Sequence, residues 1–185
     1  MVGQAFLSLA TAFGLSTSAG LNAYIPLLVV AVLARFTPLV TLNQPWDALS
    51  SWWVIGTLAV LLLVEILVDK VPAVDTANDV IQTFIRPTAG AILFASTTNT
   101  IGVHPVLAAV CGVILAGGVH AVKAGGRPVV TSLTGGVGNP VVSVIEDTLS
   151  LALSVLAIVT PYLVVALILA ALVLFTWWAM RRRRA

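Results

Sequence analysis

The stretch that decides the fold is residues 135–159, GGVGNPVVSVIEDTLSLALSVLAIV. Three glycines and Pro140 within its first six residues predict a break in the chain, because glycine tolerates many backbone angles and proline cannot continue a helix. The apolar run that follows is long enough to cross a membrane. Glu146 and Asp147 would lie roughly 10 Å along this helix, well inside a hydrocarbon layer of about 30 Å. A carboxylate at that depth costs about 2.5–3.5 kcal/mol, so the stretch predicts a membrane helix with an acidic site.

The composition of the whole chain agrees with a membrane setting. Of 185 residues, 59% are hydrophobic and 9% are charged, whereas soluble domains carry about 25% charged residues. This excludes a soluble enzyme, a nucleic-acid-binding protein and a disordered chain. The net charge of +2 depends on the terminal run 181–184, so basicity does not indicate a nucleic-acid partner. The single cysteine, Cys111, cannot form an internal disulfide and is expected to be a packed small residue.

Apolar runs along the chain predict an all-α, polytopic transmembrane bundle of about six segments, some of them broken or re-entrant. Residues 1–180 would form a single integral-membrane domain, followed by a basic cytoplasmic tail at 181–185. Four segments meet the length of a membrane span clearly or nearly, and these are 21–34 extended by the residues before it, 52–68, 105–119 and 162–180. Two more, 87–101 and 140–160, are compromised candidates.

Charge asymmetry between the loops predicts the orientation. Four arginines after the last segment place the C-terminus in the cytoplasm by the positive-inside rule. The membrane would be the cell membrane, which is the inner membrane if the chain is bacterial. Counting back through six segments then places the N-terminus in the cytoplasm as well. The inner loops would be 69–86 and 120–128, and the outer loops 37–51, 104–105 and 160–161.

The inner loop 69–86 has a pattern of its own. Asp75, Asp79 and Gln82 share one helical face, which predicts a short helix that lies at the inner membrane surface and begins at Asp75 or Thr76.

Two similar breaks predict a central site and a weak internal repeat. Each places small or hydroxyl residues before an asparagine and a proline: Ser18, Gly20, Asn22 and Pro26 in the first, and Gly135, Gly136, Gly138, Asn139 and Pro140 in the second. A helix broken inside a bilayer frees backbone groups that must face protein or a water-filled cavity, as in transporter sites. The small residues Ala108, Gly112 and Ala116 are instead predicted to serve close helix packing.

The few charged residues are the candidate functional groups. Glu146 and Asp147, helped by Glu65 and Asp69, would bind a cation or a proton, with Asn22 and Asn139 at the same site. Arg86, Lys123 and Arg127 would balance charge at the inner mouth, and His120 could join them. Alternatively, the acids only pair with these bases and fix the bundle. No histidine or cysteine spacing resembles a zinc site, so no metal is assigned.

Three runs resemble a bacterial membrane-protein family catalogued as a domain of unknown function (DUF4126). They are GLSTSAGLNAYIP from Gly14 to Pro26, DKVPAVD from Asp69 to Asp75, and GGVGNPVVSVIED from Gly135 to Asp147. The resemblance covers nearly the whole chain and implies a polytopic membrane domain without an assigned activity.

The favoured interpretation is a small transporter or channel for an ion or small polar solute, embedded in the lipid bilayer as a homo-oligomer. One alternative is an intramembrane enzyme or binding protein for a phosphate-bearing lipid, which the inner basic residues would suit. Enzymatic function is the less favoured alternative because no nucleophile has an adjacent base. Another alternative is a non-catalytic membrane scaffold.

Overall fold

The protein is described from a computed structural model. It describes residues 2–69, 72–161, 163, 166, 170, 173, 174, 177, 180 and 181, with the backbone alone at 72–77 and 79. This part of the chain is helical and contains no strand, which confirms the predicted all-α class. Its helices are α1 (Val2–Leu21), α2 (Tyr24–Phe36), α3 (Trp52–Val68), α4 (Pro72–Thr98), α5 (Pro105–Thr134) and α6 (Asn139–Val159).

Helix α1 is the centre of the bundle. It packs against α4, α5 and α6, while α2 packs against α3 and α6. The neighbours can approach α1 closely because its buried side carries small residues, among them Ala12, Ala19 and Gly20. A Cβ atom added at Gly20 would lie 2.6 Å from the carbonyl oxygen of Ala116 on α5, so the two backbones are in contact there.

The crossing of α4 and α5 also depends on glycine. A Cβ atom at Gly90 would lie 2.6 Å from the carbonyl oxygen of Gly112, and one at Gly112 would overlap the Gly90 backbone. Ala108 and Ala116 are buried on the same stripe of α5 as Gly112. The prediction that these three residues serve close packing is therefore confirmed.

The distribution of polar and apolar side chains is inverted relative to a soluble protein. Serines and charged residues lie in the interior, whereas large aliphatic side chains of α3, α5 and α6 face outward. Helices α5 and α6 are long and apolar enough to cross a membrane, and α2 and α3 are apolar but shorter. The fold is therefore compatible with association with a membrane.

The first predicted segment, 21–34 together with the residues before it, is not one helix. Helix α1 ends at Leu21, and the side-chain oxygen of Asn22 accepts hydrogen bonds from the backbone N–H groups of Tyr24 and Ile25, which begin α2. The chain reverses at this cap. As a result, Gln4 and Ser8 lie beside Thr41, so the N-terminal end of α1 is at the same end of the bundle as loop 37–51. The prediction had placed the two at opposite ends.

Two predicted connections are instead parts of long helices. Helix α4 runs from Pro72 to Thr98 through Pro87, so the expected short surface helix beginning at Asp75 or Thr76 is not separate. Helix α5 continues through the expected inner loop 120–128. The polar residues of the stretch 120–128 are His120, Lys123 and Arg127. Their spacing of three and four residues places them on one buried face of α5. Most of the predicted last segment, 162–180, lies outside the described residues.

The contact between α4 and α5 gives a stability prediction. Gly112→Ala should lower the free energy of unfolding by about 1–3 kcal/mol because the new methyl group overlaps the Gly90 backbone. Gly118→Ala on the same helix is the matched control, since a Cβ atom there meets nothing within 4 Å. Chemical unfolding of the purified proteins measures both. Equal stability of the two variants would contradict the packing described.

Candidate functional site

Most of the charged side chains described in the structure gather at one end of the bundle. They come from the end of α3, from α4 and α5, and from the first half of α6, and they meet the last turn of α1. The structure thus brings together all the acids and bases predicted to matter. We call this group the ion-pair cluster; it comprises Glu65, Asp69, Arg86, Lys123, Arg127, Glu146 and Asp147.

Arg86 and Glu65 form the most deeply buried pair. The Arg86 Nη2 and Glu65 Oε1 atoms are 3.1 Å apart, and the two side chains are 1% and 2% exposed. The other terminal nitrogen of Arg86 lies 3.1 Å from His120 Nδ1. Thr83 contacts the opposite ring nitrogen of His120. The pair is therefore held by a polar network that joins α3, α4 and α5.

Lys123 connects α5 to both α6 and α1. Its ammonium nitrogen lies 2.7 Å from Glu146 Oε2 and donates a hydrogen bond of 3.1 Å to the carbonyl oxygen of Leu21. Leu21 is the last residue of α1, where unpaired carbonyl groups carry partial negative charge. The Lys123 cation thus neutralises both a buried carboxylate and a helix end.

Arg127 connects α5 to α6 and to the end of α3. Its Nη2 atom lies 3.3 Å from Glu146 Oε2 and 3.8 Å from Asp69 Oδ2. Ser143 lies between them, since it accepts a hydrogen bond from Arg127 and donates one of 2.6 Å to Asp69. Asn78 of α4 donates a hydrogen bond to the other Asp69 oxygen. Asp69 is therefore bound by α4, α5 and α6 together.

Asn22 has two roles, which the sequence could not separate. Its side-chain oxygen caps α2, while its side-chain nitrogen donates a hydrogen bond of 2.9 Å to Asp147 Oδ1. The chain reversal between α1 and α2 is thereby attached to α6. Pro26 lies in the first turn of α2, where its missing N–H is not needed, and so does not break the helix.

Buried serines continue the polar contact between α1 and α6 away from the ion-pair cluster. Ser18 Oγ lies 2.9 Å from Ser150 Oγ and 2.8 Å from Ser154 Oγ. We call these three residues the serine cluster. One turn or more further along, Thr11 donates a hydrogen bond to the carbonyl oxygen of Ala157. A stripe of hydrogen-bonding groups therefore follows the α1–α6 interface.

A cavity of about 730 Å³ lies at the opposite end of the bundle from the ion-pair cluster. Its walls come from α1, the loop after α2, the end of α4 and the end of α6. We call it the hydroxyl-lined cavity because six hydroxyl residues, together with aliphatic ones, line it; these six are Ser8, Thr11, Thr41, Thr97, Thr100 and Thr160.

The second predicted break forms the connection between α5 and α6. Gly135 and Gly136 have φ angles of 62° and 88°, a left-handed conformation that glycine adopts readily, and they end α5. Gly138 and Pro140 begin α6. Asn139 accepts a hydrogen bond from Thr131 of α5 and lies about 12 Å along α6 from Asp147. Asn22 thus contacts an acid of the cluster, whereas Asn139 stabilises a turn.

Gly20 also differs from the predicted arrangement. It lies within α1, where it allows contact with α5, and its carbonyl oxygen is 3.5 Å from Arg86. Ser18 lies within α1 as well, in the serine cluster. Neither residue is part of a break.

Several residues of the site were not predicted. The inner face of α6 carries Ser143, Glu146, Ser150 and Ser154. The spacing of three or four residues between successive members of this set is the sequence signal that identifies the face. Gln82 is fully buried on α4, one turn before Arg86. The hydroxyl-lined cavity has no local signal, because distant parts of the chain form it.

The chemistry of the cluster is that of paired charges. Among the described residues, no group of three or more histidine, cysteine or acidic side chains is arranged to hold a metal ion. Two buried acceptors, Glu65 Oε2 and Gln82 Oε1, have no hydrogen-bond partner among the atoms described. Such atoms cost about 1–3 kcal/mol each when unsatisfied, so this arrangement does not use all the hydrogen bonds that the cluster could form.

The Glu65–Arg86 pair can be tested with a double-mutant cycle. Glu65→Gln and Arg86→Gln should each lower the free energy of unfolding by about 3–5 kcal/mol because each leaves a buried charge without its partner. The double variant should lose clearly less than the sum. Asp47→Asn, in an exposed turn, is the control and should change stability by less than about 0.5 kcal/mol. Additive losses would show that the two side chains do not interact.

Comparisons with known proteins identify the family. No curated protein and no solved structure is significantly similar to the chain. A family model does match residues 9–182, which include all of the ion-pair cluster and both asparagines of the predicted breaks. The resemblance noted in the sequence is thereby confirmed, and the chain belongs to the family described as a domain of unknown function, DUF4126.

Proposed function

We propose that the protein is a membrane transporter for a small solute, in which the ion-pair cluster is a gate. The observation that carries the proposal is the asymmetry along the α1–α6 interface. A cavity lined by hydroxyl and aliphatic side chains lies at one end of this interface, and a network of buried ion pairs occupies the other. A solute binding site with one open and one closed end is the arrangement that alternating access requires.

The proposal places the helices across a bilayer. The aliphatic exterior of α3, α5 and α6 would face lipid, and the polar interior would be shielded from it. Together with the predicted last segment, 162–180, helices α1 to α6 would make seven membrane segments. Arg86, Lys123, Arg127 and the terminal arginines then lie at the cytoplasmic end by the positive-inside rule. The N-terminal end of α1 would face the other side, with the hydroxyl-lined cavity.

The hydroxyl-lined cavity and the ion-pair cluster are close enough for the cluster to be the one barrier between the cavity and the other end of the bundle. Leu15 is fully buried and lines the cavity, and Asn22 belongs to the polar network seven residues later. That separation is about 10 Å along α1. The serine cluster lies between the two, so a polar surface is already present along the path that a solute would follow.

Buried ion pairs are better suited to a gate that opens than to a contact whose role is to stabilise the fold. Removing two charges from water costs about as much as their attraction returns, so a buried pair contributes little net stability. A network of such pairs can open and become hydrated for a small net free energy. In the open state the acids would be free to bind a cation or a proton, which is the role predicted for Glu146, Asp147, Glu65 and Asp69.

Two alternatives remain distinguishable from a transporter. A lipid-phosphate site would need basic groups that are available, whereas Arg86 and Lys123 are engaged by carboxylates here. A scaffold needs only these mutual pairs and no cavity. Assembly with further copies of the chain stays a prediction.

Solute uptake into proteoliposomes tests the proposal. We expect protein-dependent uptake of at least one small solute from a panel of radiolabelled ions and neutral polar compounds. Glu146→Gln removes the carboxylate that Lys123 and Arg127 share. Losing about 3 kcal/mol from the closed gate would shift its opening equilibrium by about 100-fold, so coupled uptake should fall at least about tenfold.

The control for this test is Asp47→Asn, which removes an exposed acid outside the cluster and should leave uptake unchanged. Uptake that is unaltered in both Glu146→Gln and Asp147→Asn would contradict a role of the cluster in transport. Folded protein that takes up none of the panel would favour a scaffold.

A further inference from the structure

We infer that the hydroxyl-lined cavity binds an uncharged solute rich in hydroxyl groups, such as a polyol or a small sugar. This inference rests on the proposed transport function and names the class of solute. It is carried by the chemistry of the cavity wall rather than by the ion-pair cluster.

The wall of the hydroxyl-lined cavity is uncharged as far as the structure describes it. The described residues that line it are six hydroxyl residues and nine apolar ones. A cation or an anion in this space would leave water without gaining an opposite charge, which carries a large desolvation cost. The acids and bases of the described structure that could compensate it lie mainly in the ion-pair cluster at the other end. The wall therefore selects against charged solutes.

The hydroxyl groups of the cavity wall offer hydrogen-bond acceptors to a solute. Four of the cavity hydroxyls already donate to backbone carbonyl groups: Thr11 to Ala157 at 2.9 Å, Thr97 to Leu93 at 2.7 Å, Thr160 to Leu156 at 3.3 Å, and Thr100 to Thr97 at 3.5 Å. A hydroxyl group that donates its hydrogen keeps two acceptor lone pairs. These positions consequently offer acceptors, and they are complementary to a solute that brings O–H donors.

The volume and the apolar surface of the cavity also fit a small polyol or sugar. A volume of about 730 Å³ lies within the range of about 300–1,000 Å³ typical of small-molecule sites. Leu15, Val40 and Ile158 contribute apolar surface beside the hydroxyls. Polyols and sugars present C–H faces as well as O–H groups, so they match a wall that carries both kinds of surface.

The test compares neutral and charged solutes in proteoliposomes that contain the full chain. The probes are radiolabelled xylitol and glucose as neutral solutes, choline as a cation and lactate as an anion. We expect uptake of xylitol or glucose above that of protein-free vesicles, with no protein-dependent uptake of choline or lactate. Thr97→Val combined with Thr160→Val should reduce the neutral uptake about tenfold, since two hydrogen-bonding groups are lost.

The matched control is Thr148→Val on the exposed face of α6. Thr148 donates to a backbone carbonyl of its own helix, at 2.7 Å, as Thr97 does, but it lies outside the cavity. This variant should transport like the original protein. Thermal unfolding in detergent verifies that all variants are folded.

The outcomes separate the two proposals. Uptake of choline or lactate without xylitol or glucose overturns the inference of a neutral solute and leaves the transporter proposal standing. Uptake of none of the four by folded protein overturns the inference of a neutral solute, whereas the transporter proposal falls only if no member of the wider panel of ions and neutral compounds is taken up. Neutral uptake that falls equally in the cavity variant and in Thr148→Val also overturns the assignment of the cavity.

Discussion

A charge that is buried among apolar helices must be neutralised where it lies, and this requirement organises one end of the molecule. Arg86 of α4 and Lys123 and Arg127 of α5 find their partners on α3, on α6 and at the last carbonyl group of α1. Since no single helix carries both members of a pair, the ion pairs determine how these helices lie relative to one another. Loss of one side chain leaves another charge buried alone.

Close packing makes this neutralisation possible. Charged side chains reach across the bundle because α1, α4 and α5 touch at Gly20, Gly90 and Gly112, where a larger residue would separate the helices. The serine cluster provides a similar contact between α1 and α6, with hydrogen bonds in place of bare backbone contact. Small residues thus bring the helices together, and polar groups specify the register at which they meet.

The sequence predicted the helical class, the start of α6 at Asn139 and the set of charged residues, because charges are rare in this chain and each one is informative. It did not predict that α5 continues through His120, Lys123 and Arg127. Three polar residues so close together resemble a loop, and only their spacing of three and four residues indicates one face of a helix. The reversal at Asn22 could not be predicted, because a break within a membrane segment and a tight turn between two helices have the same composition. The hydroxyl-lined cavity was beyond prediction because four distant parts of the chain form its wall.

A cavity lined by hydroxyl and aliphatic side chains lies at one end of the molecule and the ion-pair cluster at the other, and the transport proposal requires that the cluster opens. Electron–electron distance measurements between spin labels test this directly. The labels would be placed at Val80 of α4 and Val141 of α6, both exposed near the cluster, in a Cys111→Ser background. We expect two distance populations in lipid, with the longer one enriched by Glu146→Gln. A single distance that is the same with and without this substitution would show that the cluster does not open.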